Sequence, residues 1–206
     1  KNIKKKTKIS TFKIAAIFAF SGSYDVIAQV HIGLRENKYA QIGYGFKDDW
    51  QITLEHSIYA EKFGFQKVRL YADYKHSWGK AQLRANSYIS TLWNGDYQDY
   101  GISLTGRYQL FILWAIEATI NPHYDSQYGY KTCYAISTDI HIIKALSAVA
   151  QYTTIPEYRL SEKRVRVGFN LSHGNLSVTP LLSIPVEGNI KPYAYYAVFI
   201  ISLNET

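Results

Sequence analysis

From residue 30 onward the chain alternates apolar and polar residues with period 2 through almost its whole length, in unusually long segments. Successive side chains of a strand point to opposite faces, so this pattern builds strands with one apolar and one polar face. In Trp50-Gln51-Ile52-Thr53-Leu54-Glu55-His56-Ser57-Ile58, the residues Trp50, Ile52, Leu54 and Ile58 share one face. Gln51, Thr53, Glu55 and Ser57 share the other. Val68, Leu70, Ala72 and Tyr74 oppose Arg69, Tyr71, Asp73 and Lys75, and Val165, Val167, Phe169 and Leu171 oppose Arg166, Gly168, Asn170 and Ser172. The pattern predicts an all-β chain of about twelve strands, between about ten and fourteen. They fall near 30–35, 39–46, 50–60, 66–76, 81–92, 98–108, 112–121, 130–141, 145–154, 163–172, 175–185 and 192–203. No helical stretch, low-complexity linker or composition shift marks a second domain. Pro180 and Pro185 fall in the eleventh segment, where a missing ladder donor predicts a bulge or an early strand end.

The connections alternate in length. Arg35–Lys38, Glu61–Phe65, Trp93–Tyr97, Pro122–Gly129, Ile155–Glu162 and Val186–Lys191 are the longer ones. Lys47–Asp49, Ser77–Lys80, Gln109–Phe111, Ile142–Lys144 and His173–Gly174 are tight. Long and short connections in turn mean an up-and-down antiparallel sheet with its two kinds of loop at opposite ends.

The first residues read as an export signal. Lys1, Lys4, Lys5, Lys6, Lys8 and Lys13 precede the apolar run Ile14–Phe20, and Val26-Ile27-Ala28 offers a cleavage site with Gln29 first in the mature chain. The expected division is a signal peptide over 1–28 and a single β-domain over 29–206. The segment carries six of the 23 Lys and Arg and one of the 16 acids, so the remainder has a net charge of only about +2. The basicity belongs to the export segment, and a nucleic-acid partner is not expected.

Alternation alone does not say which face is the core. Strand length favours a membrane, because a tilted spanning strand needs about 9–11 residues whereas strands of soluble proteins centre on about 5–6. Aromatic placement agrees. Trp50, Trp78, Trp93 and Trp114 lie at or near strand ends, and so do Phe46, Phe111, Tyr100, Tyr108, Tyr130 and Tyr193. Rings with a polar tip prefer the membrane–water boundary, so these residues predict a girdle at each rim.

Signal, alternating strands of about ten residues, tight turns at one end and aromatic rims together resemble the bacterial outer-membrane β-barrel superfamily. The resemblance covers residues 29–203 and is one of pattern rather than motif. It implies a closed up-and-down antiparallel transmembrane barrel in a Gram-negative cell envelope, with short turns and both termini in the periplasm. It also implies outer-membrane lipid as the surrounding partner. Many of these barrels end on Phe, whereas this chain ends Leu203-Asn204-Glu205-Thr206.

Catalytic patterns are sparse. The adjacent pairs His56-Ser57, His76-Ser77 and Ser172-His173 point to opposite faces, and the His-x-Ser spacing of barrel lipid hydrolases does not occur. Asp139-Ile140-His141 puts an acid and a base on one face and resembles the Asp-x-His pair of omptin proteases; it is the one catalytic candidate. A structural ion pair is the plainer reading. The six His are scattered without metal-ligating spacing, Cys133 stands alone, and no cofactor is expected.

Mid-strand charges define the remaining site. Gln51, Glu55, Arg69 and Asp73, together with Arg84, Arg107, Glu117 and Arg166, sit on the polar faces. In a membrane barrel they line the interior, where they must be hydrated or paired. The expectation is a small porin-like channel passing small polar solutes. A closed structural or adhesion barrel, a barrel enzyme and a soluble ligand-binding barrel remain as alternatives.

Overall fold

The computed structural model describes residues 29–35, 38–46, 49–58, 66–95, 97–155, 163–174, 176–187 and 192–203. The export segment expected over 1–28, including Ala28, lies outside the described residues, as do the side chains of Gln29 and Tyr193.

The alternating segments become antiparallel strands in chain order. They are β1 (Gln29–Arg35), β2 (Tyr39–Phe46), β3 (Trp50–Ser57), β4 (Lys67–Trp78), β5 (Ala81–Leu92) and β6 (Gln98–Phe111). After them come β7 (Trp114–Asp125), β8 (Gly129–Ile143), β9 (Leu146–Thr153), β10 (Arg164–His173), β11 (Leu176–Pro185) and β12 (Tyr193–Leu203). Each strand pairs with the next, which makes one up-and-down sheet. The first strand also pairs with the last, Ile32 facing Ile200 and Leu34 facing Val198. Tight hairpins cluster at one end, called here the turn end. Gly79 (φ 55°) and Gly174 (φ 57°) open two of them in the left-handed region that other residues enter only with strain.

Two proline sites correct the sequence reading. Pro122 was expected to begin a long connection, but β7 continues through it to Asp125, and the connection shrinks to Ser126–Tyr128. Asn121, His123 and Asp125 keep the alternation, all three buried. What the proline breaks is the ladder on one side only. β6 and β7 pair at Gly101 with His123 and again at Leu104 with Ile120, but not at Ile102 and Ser103 between them. The Asn121 side chain fills the gap, its Nδ2 donating to Ser103 Oγ at 2.6 Å and to the Ile102 carbonyl at 3.4 Å. Pro180 repeats the device. β11 runs through it in register with β12, while pairing with β10 lapses between Gly168 and Leu171. There is no bulge at Pro180; the strand ends at Pro185. Both gaps adjoin a glycine, Gly101 and Gly168, whose missing Cβ is replaced by the proline carbonyl of the facing strand. Substituting Pro122→Ala supplies a backbone donor opposite the Ile102 carbonyl, so the new amide at position 122 is expected to exchange hydrogen slowly, as a ladder amide does; exchange as fast as that of a loop amide would refute the account of the gap.

True bulges occur instead at the turn end, as register shifts between Gln109 and Phe111 and between His141 and Ile143. An extra residue reverses the facing of the residues after it. Phe111 thereby stacks on Trp114, ring centroids 5.9 Å apart.

The sheet is inside-out relative to a soluble protein. Its outer face carries exposed large apolar side chains along every strand whose side chains are described, such as Ile32, Leu54, Leu104 (45 % exposed), Ile136 (60 %) and Phe169. Its buried face is polar, and the largest fully buried side chains include His123, Glu55, Asn121 and Asp125. An apolar face of this extent does not stay in water, whereas in lipid it is the solvated face. Among the described residues no helix is long and apolar enough to cross a membrane.

Candidate functional site

Each inner-face residue follows from parity. On β3, β4, β6, β7, β8, β9 and β11 the odd positions point inward, and on β5 and β10 the even ones do. Gln51, Glu55, Arg69, Asp73, Arg84, Arg107, Glu117 and Arg166 all have inward parity; five of them fall into two tiers, with Gln51 and Asp73 between these and Arg166 apart on β10.

The tier near the long connections is a belt of polar and charged residues running around β1 to β7. Arg35 donates to both oxygens of Glu55, through Nε at 2.8 Å and Nη2 at 2.7 Å. Gln41 Nε2 donates to the same carboxylate at 2.6 Å. Arg69 lies 3.8 Å from Glu55 on one side and 3.5 Å from Asp99 on the other, and Lys67 reaches Asp99 at 3.6 Å. Tyrosine rings flank the cations: Tyr39 under Arg35, Tyr71 and Tyr88 around Arg69, Tyr97 under Lys67. Tyr97, just before β6, donates to Asp125 at 2.5 Å. Burial, then Asp99 and Asp125, push its hydroxyl proton well above the usual tyrosine range, so it remains a donor. On the neighbouring rim, Lys163 donates to Glu187 at 2.5 Å, and that bond and charge raise its pKa.

The tier near the turns is more exposed. Arg84 is paired with Glu117, and Arg107 holds Asp139 with two donors at 2.6 and 2.9 Å. Between the tiers, Asp73 accepts from Asn86 at 2.5 Å, and Gln51 Nε2 lies 2.6 Å from His31 Nε2. Arg166 donates to Gln151 at 3.1 Å.

The catalytic candidate assembles differently from its expectation. His141 Nε2 is 3.5 Å from Asp139, while His141 Nδ1 is 2.7 Å from Ser147 Oγ, a serine that no motif or spacing singles out. Both oxygens of Asp139 already accept from Arg107, and Ser147 is buried. A nucleophile must reach its substrate, so the trio reads as an interior hydrogen-bond set. Among the described residues no group of three or more His, Cys, Asp or Glu is placed to hold a metal ion.

Aromatic residues band the outer face at both ends. At the turn end the rings Tyr44, Phe46, Trp50, Tyr74, His76 and Trp78 form an unbroken chain across β2 to β4, with successive centroids 4.5–6.5 Å apart. Trp114 Nε1 donates to Thr138 there, and Tyr108 and Phe111 lie exposed beside it. At the opposite end Tyr100 stacks on Tyr124, Trp93 donates to His56, and Tyr130 is 70 % exposed.

A curled antiparallel sheet with an apolar exterior, a polar interior and aromatic rims has the architecture of transmembrane β-barrels. The solved structures agree. The chain is similar to the KdgM porin in complex with disordered oligogalacturonate, with a TM-score of 0.62 at 9% identity over 84% of this chain and 96% of that one. It is similar to the KdgM porin structure (0.61, 9%, with the same coverage) and to the NanC porin (0.53, 10%, 85% and 98%). At such identities the likeness is one of fold: the chain has a porin-like, all-β up-and-down architecture. No protein-family model and no curated protein matches it.

Proposed function

We propose that the chain closes as a twelve-stranded barrel in the outer membrane and conducts small polar solutes through a charged lumen. The observation that carries this reading is the reversed polarity of the sheet, exposed aliphatic residues outside and buried polar ones inside. The β1–β12 pairing supports closure. The long connections then lie outside the cell and the turns in the periplasm. Twelve strands fall between the side-chain-filled eight and the open sixteen to eighteen of large porins, so a narrow wet passage fits. That one similar porin is described with an oligogalacturonate favours a hydrophilic solute.

A second reading draws on the belt, whose buried ion pairs fill part of the interior and would suit a non-conducting structural barrel. The experiments separate these readings. Detergent-folded protein is expected to migrate differently on gels before and after heating, and to give discrete current steps in a planar lipid bilayer. Folded protein that never carries current supports the structural barrel instead. Protein that stays monodisperse in water without detergent refutes both.

A further inference from the structure

Burial along the inner face is lopsided. On every strand from β2 to β11 the interior half toward the long connections contains a buried residue, among them Tyr39, Glu55, Lys67, Ser90, Asp99 and His123. Toward the turns the long inner side chains open up, Lys75 being exposed, Arg84 46 % exposed and His141 43 %, while of the described residues only the small Ala115 and Ser147 stay buried there. The interior is therefore a funnel, narrow at the loop end and wide at the turn end.

The narrow part also holds polar atoms with nothing to bond. Arg69 Nε, Asn121 Oδ1 and His123 Nε2 are buried without a hydrogen-bond partner among the described residues. Tyr88 links their surroundings: Arg69 lies over its ring, its hydroxyl donates to Asp99 at 3.2 Å, and that hydroxyl and the His123 Cβ both lie against Gly101. A buried donor or acceptor left unpaired is costly, so the site wants water or a polar solute as its partner. Around it the charges are locked, Arg69 being held between Glu55 and Asp99 with Tyr71 and Tyr88 against it.

We propose that this belt, centred on Arg69, Asp99, Asn121 and His123, is the selectivity constriction, and that the Arg84–Glu117 and Arg107–Asp139 tier is a hydrated vestibule that discriminates little. The proposal rests on the channel reading above. A charge in a narrow, poorly hydrated section acts strongly on a passing ion, whereas charges in a wide wet mouth are screened. A solute passing the belt meets the parts it leaves uncovered, the side chains of Arg35 (24 % exposed) and Arg69 (12 %), with the carboxylates of Glu55 and Asp99 behind them.

The test is reversal potential across a salt gradient in planar bilayers, each variant first shown to be folded by heat-modifiable migration. Arg69→Gln is expected to move the permeability ratio toward cations, and Asp99→Asn toward anions, by about three- to tenfold. Arg84→Gln and Glu117→Gln should move it by less than about twofold. Should Arg69→Gln fail to fold, His123→Ala breaks no ion pair and takes a whole ring out of the belt. It is expected to raise single-channel conductance by about half, more than Arg84→Ala does. Vestibule variants that shift selectivity as far as the belt variants, or a conductance indifferent to His123→Ala, overturn the placement. Folded wild-type protein without current removes the channel reading instead.

Discussion

Replacing Glu55 with alanine is expected to cost about 3–5 kcal/mol of folding stability, toward the lower end because Arg35 keeps some access to water. The carboxylate is 1 % exposed, and it accepts from Arg35 twice, from Gln41, and from the Tyr71 hydroxyl at 3.3 Å. Removing it leaves two guanidinium groups near each other on the buried face of the sheet, with Asp99 alone to balance Arg69. Urea unfolding in lipid vesicles measures the loss. Combining Glu55→Ala with Arg69→Met should recover part of it, since one uncompensated charge goes with its partner. A loss below about 1 kcal/mol would mean that the belt is hydrated and its pairing incidental.

Leu104→Arg should destabilise the protein in lipid by about 2–4 kcal/mol. Leu104 lies midway along β6, 45 % exposed on the outer face. On a soluble sheet an exposed leucine changed to arginine is close to neutral. At the middle of a bilayer the guanidinium must leave water or drag water in. The same substitution on Tyr100, in the aromatic rim of the same strand, should cost much less, because the boundary is wet. Equal, small effects at both positions would contradict a membrane-facing exterior.

The strands were largely legible because their alternation survives even where backbone bonding fails. Pro122 shows the limit. A missing donor reads as a break in sequence, yet the backbone passes through because Asn121 supplies the lost partner from its side chain, a rescue across strands that local pattern does not encode. The facing of the mid-strand polar residues was legible from parity, while Arg35, Lys67 and Asp125 were passed over because charges at strand ends look like loop charges. Parity would have placed Lys67, Asp99, His123 and Asp125 on the same face as Arg69. Which charge meets which was not legible. Arg107 on β6 holds Asp139 on β8, reaching past β7, and Arg84 on β5 reaches Glu117 on β7. Such next-but-one pairing depends on the curvature of the sheet, which alternation leaves open.

The strands are of unequal length, with 8 residues in β2 and β3 but 14 in β6 and 15 in β8. At about 3.3 Å per residue and a tilt near 40°, the short side rises roughly 20 Å and the tall side roughly 35 Å. The apolar band of an outer membrane is about 25 Å, so in the proposed barrel β2 and β3 would fall short of the lipid core and β6 to β8 would overshoot it. The 8-residue β9 drops back beside them. In the membrane barrel proposed above, neighbouring lipids would thin against β2 and β3 or the barrel would lean toward them, at a modest cost for each ångström of mismatch. The unbroken ring chain from Tyr44 to Trp78 lies at the foot of that low flank. On that proposal it would fix the direction of lean, giving the lipid annulus a thin side and a thick side.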